Sequence, residues 1–246
     1  HRRSSAASDV YKRQVNGNGN CIMNLTKNKK KQIEGIDFTK SYKISDAVKI
    51  IKEKKYVKFD ESLEVSINTG IDSKQSDQNV RGSFIPPHGL GKKVQIAVFA
   101  QGKAAEEAKA AGAKHVGGDD LVATLEKKID VDVIVATPDM MSVVSKIAKI
   151  LGPKGLMPNP KTGTVTNDIK STIENINKGL VAYKNDKAGT IHAALGKVSF
   201  DESKLTENVT SFIDEIKKIK PSGLKGNFVN SVYLSSSMGF GLRVEI

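Results

Sequence analysis

The sequence predicts an α/β fold in two domains, and three observations carry that prediction. Residues 90–179 alternate short, unbroken apolar runs with helical patterns, as a parallel sheet with crossover helices requires. The flanks, 23–89 and 180–246, instead alternate apolar with polar residues, which suits strands covered on one face only. Between these regions, Pro86-Pro87-His88-Gly89-Leu90-Gly91 and Gly179 interrupt regular structure. The economical arrangement is one discontinuous domain built from both flanks (23–89 with 180–246). The βα-type unit, 90–179, interrupts it, and the two linkers make a hinge at Pro86, Pro87, Gly89 and Gly179.

In the first flank, Ile44-Ser45-Asp46 offers an N-cap ahead of Ala47, Val48, Ile50 and Ile51 at helical spacing. Leu63 to Ile67 alternates with period two, and Val80 to Ile85 follows the polar loop 72–79, so a strand pair is expected. In the insert, Val94 to Ala100 and Val131 to Ala136 read as buried strands and Lys103 to Ala111 as an alanine-rich helix. Thr137 is placed to cap a helix opened by Pro138. Its stripe of Met140, Val144, Ile147 and Leu151 faces the sheet, and Gly152-Pro153 is expected to stop it. A helix from about Asp168 to Lys178 closes the unit. Beyond Gly179, Leu180 to Tyr183 and Thr190 to Leu195 read as strands, Leu205 to Ile219 as a helix stopped before Pro221, and Val229 to Ser235 and Leu242 to Ile246 as closing strands.

Composition narrows the function. With 246 residues, 38% hydrophobic and 27% charged, the chain has the makeup of a soluble globular protein, and no apolar run approaches the ~20 residues that span a bilayer. Lys and Arg exceed Asp and Glu by 39 to 27, a net charge of +12, so the field favours polyanions, nucleic acid first. The surplus is spread along the chain, so charge alone does not separate an RNA-binding protein from a basic enzyme. One cysteine, Cys21, cannot form an internal disulfide, and His1, His88, His115 and His192 lack zinc-ligand spacing, which favours a reducing cytoplasmic setting without a metal. Residues 1–22 have no apolar core segment and end in Asn/Gly repeats before Met23; they are expected to be a non-native leader, with a basic RNA-contacting arm as the competing reading.

The most unusual stretch is GPKGLMPNPKTG, Gly152 to Gly163, a stiff loop carrying Lys154 and Lys161. It imitates a phosphate loop, but Pro160 replaces the second glycine and lacks the N–H that cradles a phosphate; it also follows a helix where a strand is needed. Gly89-Leu90-Gly91 precedes its strand, whereas a dinucleotide fingerprint comes after one. Asp119-Asp120 suits a helix start and Asp130/Asp132 flank a buried strand, and no catalytic constellation or cofactor site emerges. For RNA, Lys58-Phe59 and Ser235-Ser236-Ser237-Met238-Gly239 combine apolar contact, hydroxyls and a glycine that admits close backbone approach, features suited to a shallow minor groove.

The runs DQNVRG, PHGLGK, VGGDDL, ATPDMM, LGPKGLMPNPKTGTV, NDKAGTIHA and SVYLSSSMG occur in the order and spacing of one family. From Met23 to Ile246 the chain resembles the bacterial large-subunit ribosomal proteins called L-one, of the mobile stalk beside the tRNA exit site. The resemblance implies a discontinuous α+β sandwich domain that grips large-subunit rRNA, and an inserted three-layer Rossmann-like α/β domain that binds no nucleotide. It implies rRNA contacts at Lys58, Phe59 and Ser62 in the FDES run, at Asp186, Lys187 and His192, and at Ser231, Ser237, Met238 and Gly239. It further implies a chain that is monomeric when free, binds no membrane, assists release of exit-site tRNA from the ribosome and represses its own mRNA. Lys154 and Lys161 would add a secondary basic loop. Serines precede Met238 where the family often has threonines, which keeps the hydroxyl and loses a methyl. The alternative is a nucleotide-binding protein or enzyme using the insert.

Overall fold

A computed structural model describes residues 33, 35–72, 75–92, 94–122, 131–221, 224 and 226–245. The leader expected over 1–22, with Cys21, and the lysine-rich segment 26–31 lie outside the described residues, as does Asp130. The elements are α1 (Ile44–Glu53), β1 (Ser62–Thr69), β2 (Arg81–Phe84), β3 (Ile96–Phe99), α2 (Lys103–Ala110), β4 (His115–Gly117) and β5 (Val133–Ala136). They continue with α3 (Met141–Lys146), α4 (Ala148–Lys154), α5 (Ile169–Asn177), β6 (Val181–Lys184), β7 (Thr190–Lys197), α6 (Glu202–Lys218), β8 (Val229–Ser236) and β9 (Gly241–Val244). The protein is mixed α/β.

Antiparallel pairing in the order β7-β1-β8-β9 makes a four-stranded sheet from the two distant flanks. Its inward residues, among them Leu63, Val65, Ile67, Ile191, Leu195, Val232 and Leu234, are buried with Val48 and Ile51 of α1 and Val209, Phe212 and Ile216 of α6. Period-two alternation on β1 and 3.6-period stripes on the helices therefore meet in one core. β2 and β6 form a separate two-stranded sheet. Phe84 and Tyr183 from these strands stand edge-on to Phe212, with ring centroids 5.3 and 5.7 Å away, and tie that sheet to α6.

The middle segment forms a three-stranded parallel sheet, β4-β3-β5. Alternate residues of β3 point to opposite faces: Ala97 and Phe99 pack with Val144, Ile147 and Leu151, while Ile96 and Val98 pack with Ala108, Ile169 and Ile173. Burial on both faces explains why these strands read as unbroken apolar runs.

Several expectations are corrected. β1 and β2 do not pair with each other: β7 and β8, each eight residues long, occupy both edges of β1, and β2 pairs with β6. The helix expected from Pro138 is a 3-10 turn (Pro138–Met140) followed by α3 and α4, which divide at Ile147. Its apolar stripe is nonetheless buried, since turn and helices follow one face. Thr137 makes no side-chain cap; its hydroxyl points to the Phe99 carbonyl at 3.5 Å. Gly152-Pro153 does not stop α4, because a proline in a last turn forfeits a single helical hydrogen bond. Gly155 ends it instead, with φ of +72° and Leu156 N–H donating back to Leu151 O at 3.1 Å. β4 leaves no signature in the sequence, because three residues ending at Gly117 are too short a run to show a period.

Candidate nucleic-acid interface

Helices cover one face of the four-stranded sheet; the other face carries the polar half of each alternation. Register aligns His192, Ser66, Tyr233 and Arg243 as one row across β7, β1, β8 and β9. His192 Nδ1 lies 3.0 Å from Ser66 Oγ. The Tyr233 ring is among the exposed large apolar groups.

At one end of this face the FDES run meets the end of β8. Ser62 N–H donates to Ser237 Oγ and Ser237 N–H donates to Ser62 O, both at 3.1 Å. Lys197 Nζ donates to Ser62 Oγ at 3.1 Å and to Asp60 O at 3.2 Å. Beside this laced pair, Phe59 is 53% and Met238 46% exposed, so both present apolar surface that nothing within the described residues covers. Gly239 sits close against Ser236, whose Oγ would have to rotate away to admit a Cβ there.

The structure thus brings Phe59, Ser62, Ser237, Met238 and Gly239 together, with Lys58 adjoining. Asp186 and Lys187 lie on the turn before β7, where Asp186 Oδ1 accepts from Lys187 N–H at 2.7 Å. That turn is at the opposite end of the sheet, about 20 Å from the FDES tip at ~3.4 Å per strand residue. His192 sits between the two ends. Ser231 lies opposite Asn68 and is only 9% exposed, so it is largely covered. Reading by motif overlooked Ser66, Lys197, Tyr233 and Arg243; the signal that finds them is the polar phase of β1 and β8, which places Ser62, Ser66, Tyr233 and Ser235 on one face.

Lys154, at the end of α4, and Lys161, in a 3-10 turn (Pro160–Thr162), are exposed. Asn159 Oδ1 accepts from Lys161 N–H at 2.9 Å, and Thr164 Oγ1 accepts from Asn159 N–H at 2.8 Å, so the loop is held by its own side chains. That turn contacts β2. Asp119 and Asp132 have structural partners, Lys146 at 2.9 Å and Lys92 at 2.7 Å. The Lys92 ammonium, with Gln95 N–H, holds the Asp132 carboxyl below its ordinary value.

At the linkers, a Cβ on Gly179 (φ +101°) would come 2.9 Å from Leu90 N, and one on Gly89 (φ +68°) 3.1 Å from Lys178 O. Both residues therefore need glycine's conformational range and its bare Cα. Pro86 is buried and Pro87 exposed. Asn208 of α6, fully buried, accepts from His88 N–H at 3.1 Å and donates to Gly89 O at 3.3 Å and Leu195 O at 2.9 Å.

Fold and surface together define a basic α/β protein that presents an open, polar sheet face with apolar side chains bare at one corner. The model of the ribosomal protein L1p/L10e family matches residues 51–240. The chain is 50% identical over 222 residues to a Coxiella burnetii (strain Dugway 5J108-111) protein named large ribosomal subunit protein uL1, covering 90% of this chain and 96% of that one. A Thermosipho africanus (strain TCF52B) protein of the same name is 49% identical over 212 residues, covering 85% and 91%. The chain belongs to the ribosomal protein L1p/L10e family.

Proposed function

We propose that this chain is a constituent of the large ribosomal subunit, at work in the cytoplasm, that binds large-subunit rRNA through the open sheet face. The carrying observation is the tip where residues 175 positions apart, Ser62 and Ser237, are hydrogen-bonded between exposed Phe59 and Met238. A preformed surface of this kind desolvates part of a folded RNA without an ordering cost, its hydroxyls reach ribose 2′-hydroxyls, and Lys58 and Lys197 add a phosphate contribution. Burial within separate clusters, one drawn from 47–80 and 183–244 and two from 96–176, supports reading the chain as two domains joined at Gly89 and Gly179. On that reading the middle domain swings, adds weaker contacts through Lys154 and Lys161, and follows exit-site tRNA as it leaves. The same surface would take a similar stem in the chain's own mRNA.

The test is filter binding of the whole chain to a stalk fragment of large-subunit rRNA across a salt series. Binding that weakens with salt, is lost in Met238→Asp and falls about tenfold in Phe59→Ala supports the reading. Binding indifferent to both substitutions places the RNA elsewhere.

A further inference from the structure

We infer that Glu61 is the positioning residue of this tip, holding the Met238 backbone so that Met238 and Gly239 face the RNA. The inference rests on the RNA-binding reading above, and Glu61, at 1% exposed, acts through its neighbours without touching a partner itself.

Within the FDES run the side chains divide. Phe59 is exposed, Asp60 accepts from Ser199 N–H at 3.3 Å and Ser199 Oγ–H at 2.8 Å, and Glu61 turns inward. The Glu61 carbonyl accepts from Val198 N–H at 2.9 Å, which fixes it to the end of β7. Its carboxylate Oε1 accepts from Met238 N–H at 3.1 Å, which reaches the end of β8. One residue at the start of β1 therefore ties both neighbouring strands together.

The backbone at this turn needs an acceptor that a carboxylate supplies. Ser237 N–H donates to Ser62 O and Gly239 N–H donates to Ser236 O, both at 3.1 Å. The amide between them, of Met238, faces Glu61 and uses a side chain because the β1·β8 ladder ends at Ser236. The second oxygen, Oε2, is buried and has no hydrogen-bond partner among the described residues. An unpaired buried carboxylate oxygen is costly, and an apolar side chain would fill the space more cheaply if packing were the only need. What an apolar side chain cannot do is receive the Met238 amide. The turn bearing Met238 and Gly239 is thus shaped from beneath.

The experiment is a double-mutant cycle read by affinity for the stalk fragment of large-subunit rRNA, with Glu61→Ala, Met238→Ala and the pair. Each single change is expected to weaken binding about tenfold and the pair little more than Met238→Ala alone, as for residues acting through one contact. Losses that multiply in the pair, with Met238→Ala itself weakened, overturn the positioning role while leaving the RNA reading intact. Affinity unchanged in Met238→Ala overturns the RNA reading, and this inference with it. Glu61→Gln, which keeps an acceptor oxygen of the same shape, guards against a variant that fails to fold. It is expected to retain binding within about threefold and slow exchange of the Met238 amide hydrogen. Glu61→Gln that loses binding while that amide stays protected overturns the role.

Discussion

At the residue scale, exposure separates side chains kept for contact from those kept for architecture. Met238 and Phe59 project into solvent, so truncating either should weaken RNA binding by about tenfold with little change in melting temperature. Asn208 is the opposite case: fully buried, it serves the His88 amide and the Gly89 and Leu195 carbonyls at once. Asn208→Ala leaves the buried Leu195 carbonyl and the part-buried His88 N–H and Gly89 carbonyl without their partner, and a loss of about 1–3 kcal/mol in urea unfolding is expected. Nothing in the local sequence marks Asn208, which sits among Glu207, Val209 and Thr210 on an ordinary amphipathic helix. Its partners arrive from positions 119 and 120 residues away and from β7. The FDES motif, by contrast, is visible in the sequence, although its division into an exposed Phe59 and a buried Glu61 is not.

At the element scale, β5 begins with an ion pair that links it to the linker side of the middle segment. Asp132 Oδ1 receives Lys92 Nζ at 2.7 Å and Oδ2 receives Gln95 N–H at 3.1 Å. The hydrogen bond from Lys92 and that from Gln95 hold the carboxyl below 3.8 in the folded chain. The folded state then binds fewer protons than the unfolded one, so this stabilisation is present above pH 3.8 and is lost as pH falls through the lowered folded value. The side chain is about a third exposed, so solvent screening keeps the effect small. The stability difference between the wild type and Asp132→Asn should shrink as the pH is lowered through and below 3.8, measured by urea midpoints. Element identities were mostly legible, because buried parallel strands and half-covered antiparallel strands leave different patterns. Pairing was not: that β2 joins β6, and that α4 runs past Pro153 to Gly155, depends on which edges and which left-handed glycines the folded chain makes available.

At the scale of the whole molecule, the sheet that carries the candidate surface unites strands from both flanks, with β1 between β7 and β8. Lys154 and Lys161 belong to the middle segment, far along the chain from the tip. If both add phosphate contacts, the double variant Lys154→Ala/Lys161→Ala should lower affinity modestly for any RNA sequence and reduce the salt slope by about 2. Met238→Ala should instead leave that slope unchanged while affinity falls, since a thioether releases no counterion. A salt series on each variant separates the two contributions.

What the linear order of residues determined by itself is the mixed α/β class, most of its elements and the family to which the chain belongs, because periodicity and short motifs are local properties. Only the tertiary structure decided that His192, Ser66, Tyr233 and Arg243 form one row, that Ser231 lies covered, and that Glu61 reaches beneath Met238. Those relations depend on strand register and on contacts between residues well over a hundred positions apart, and no local pattern encodes the distance between two atoms that meet only when the sheet closes.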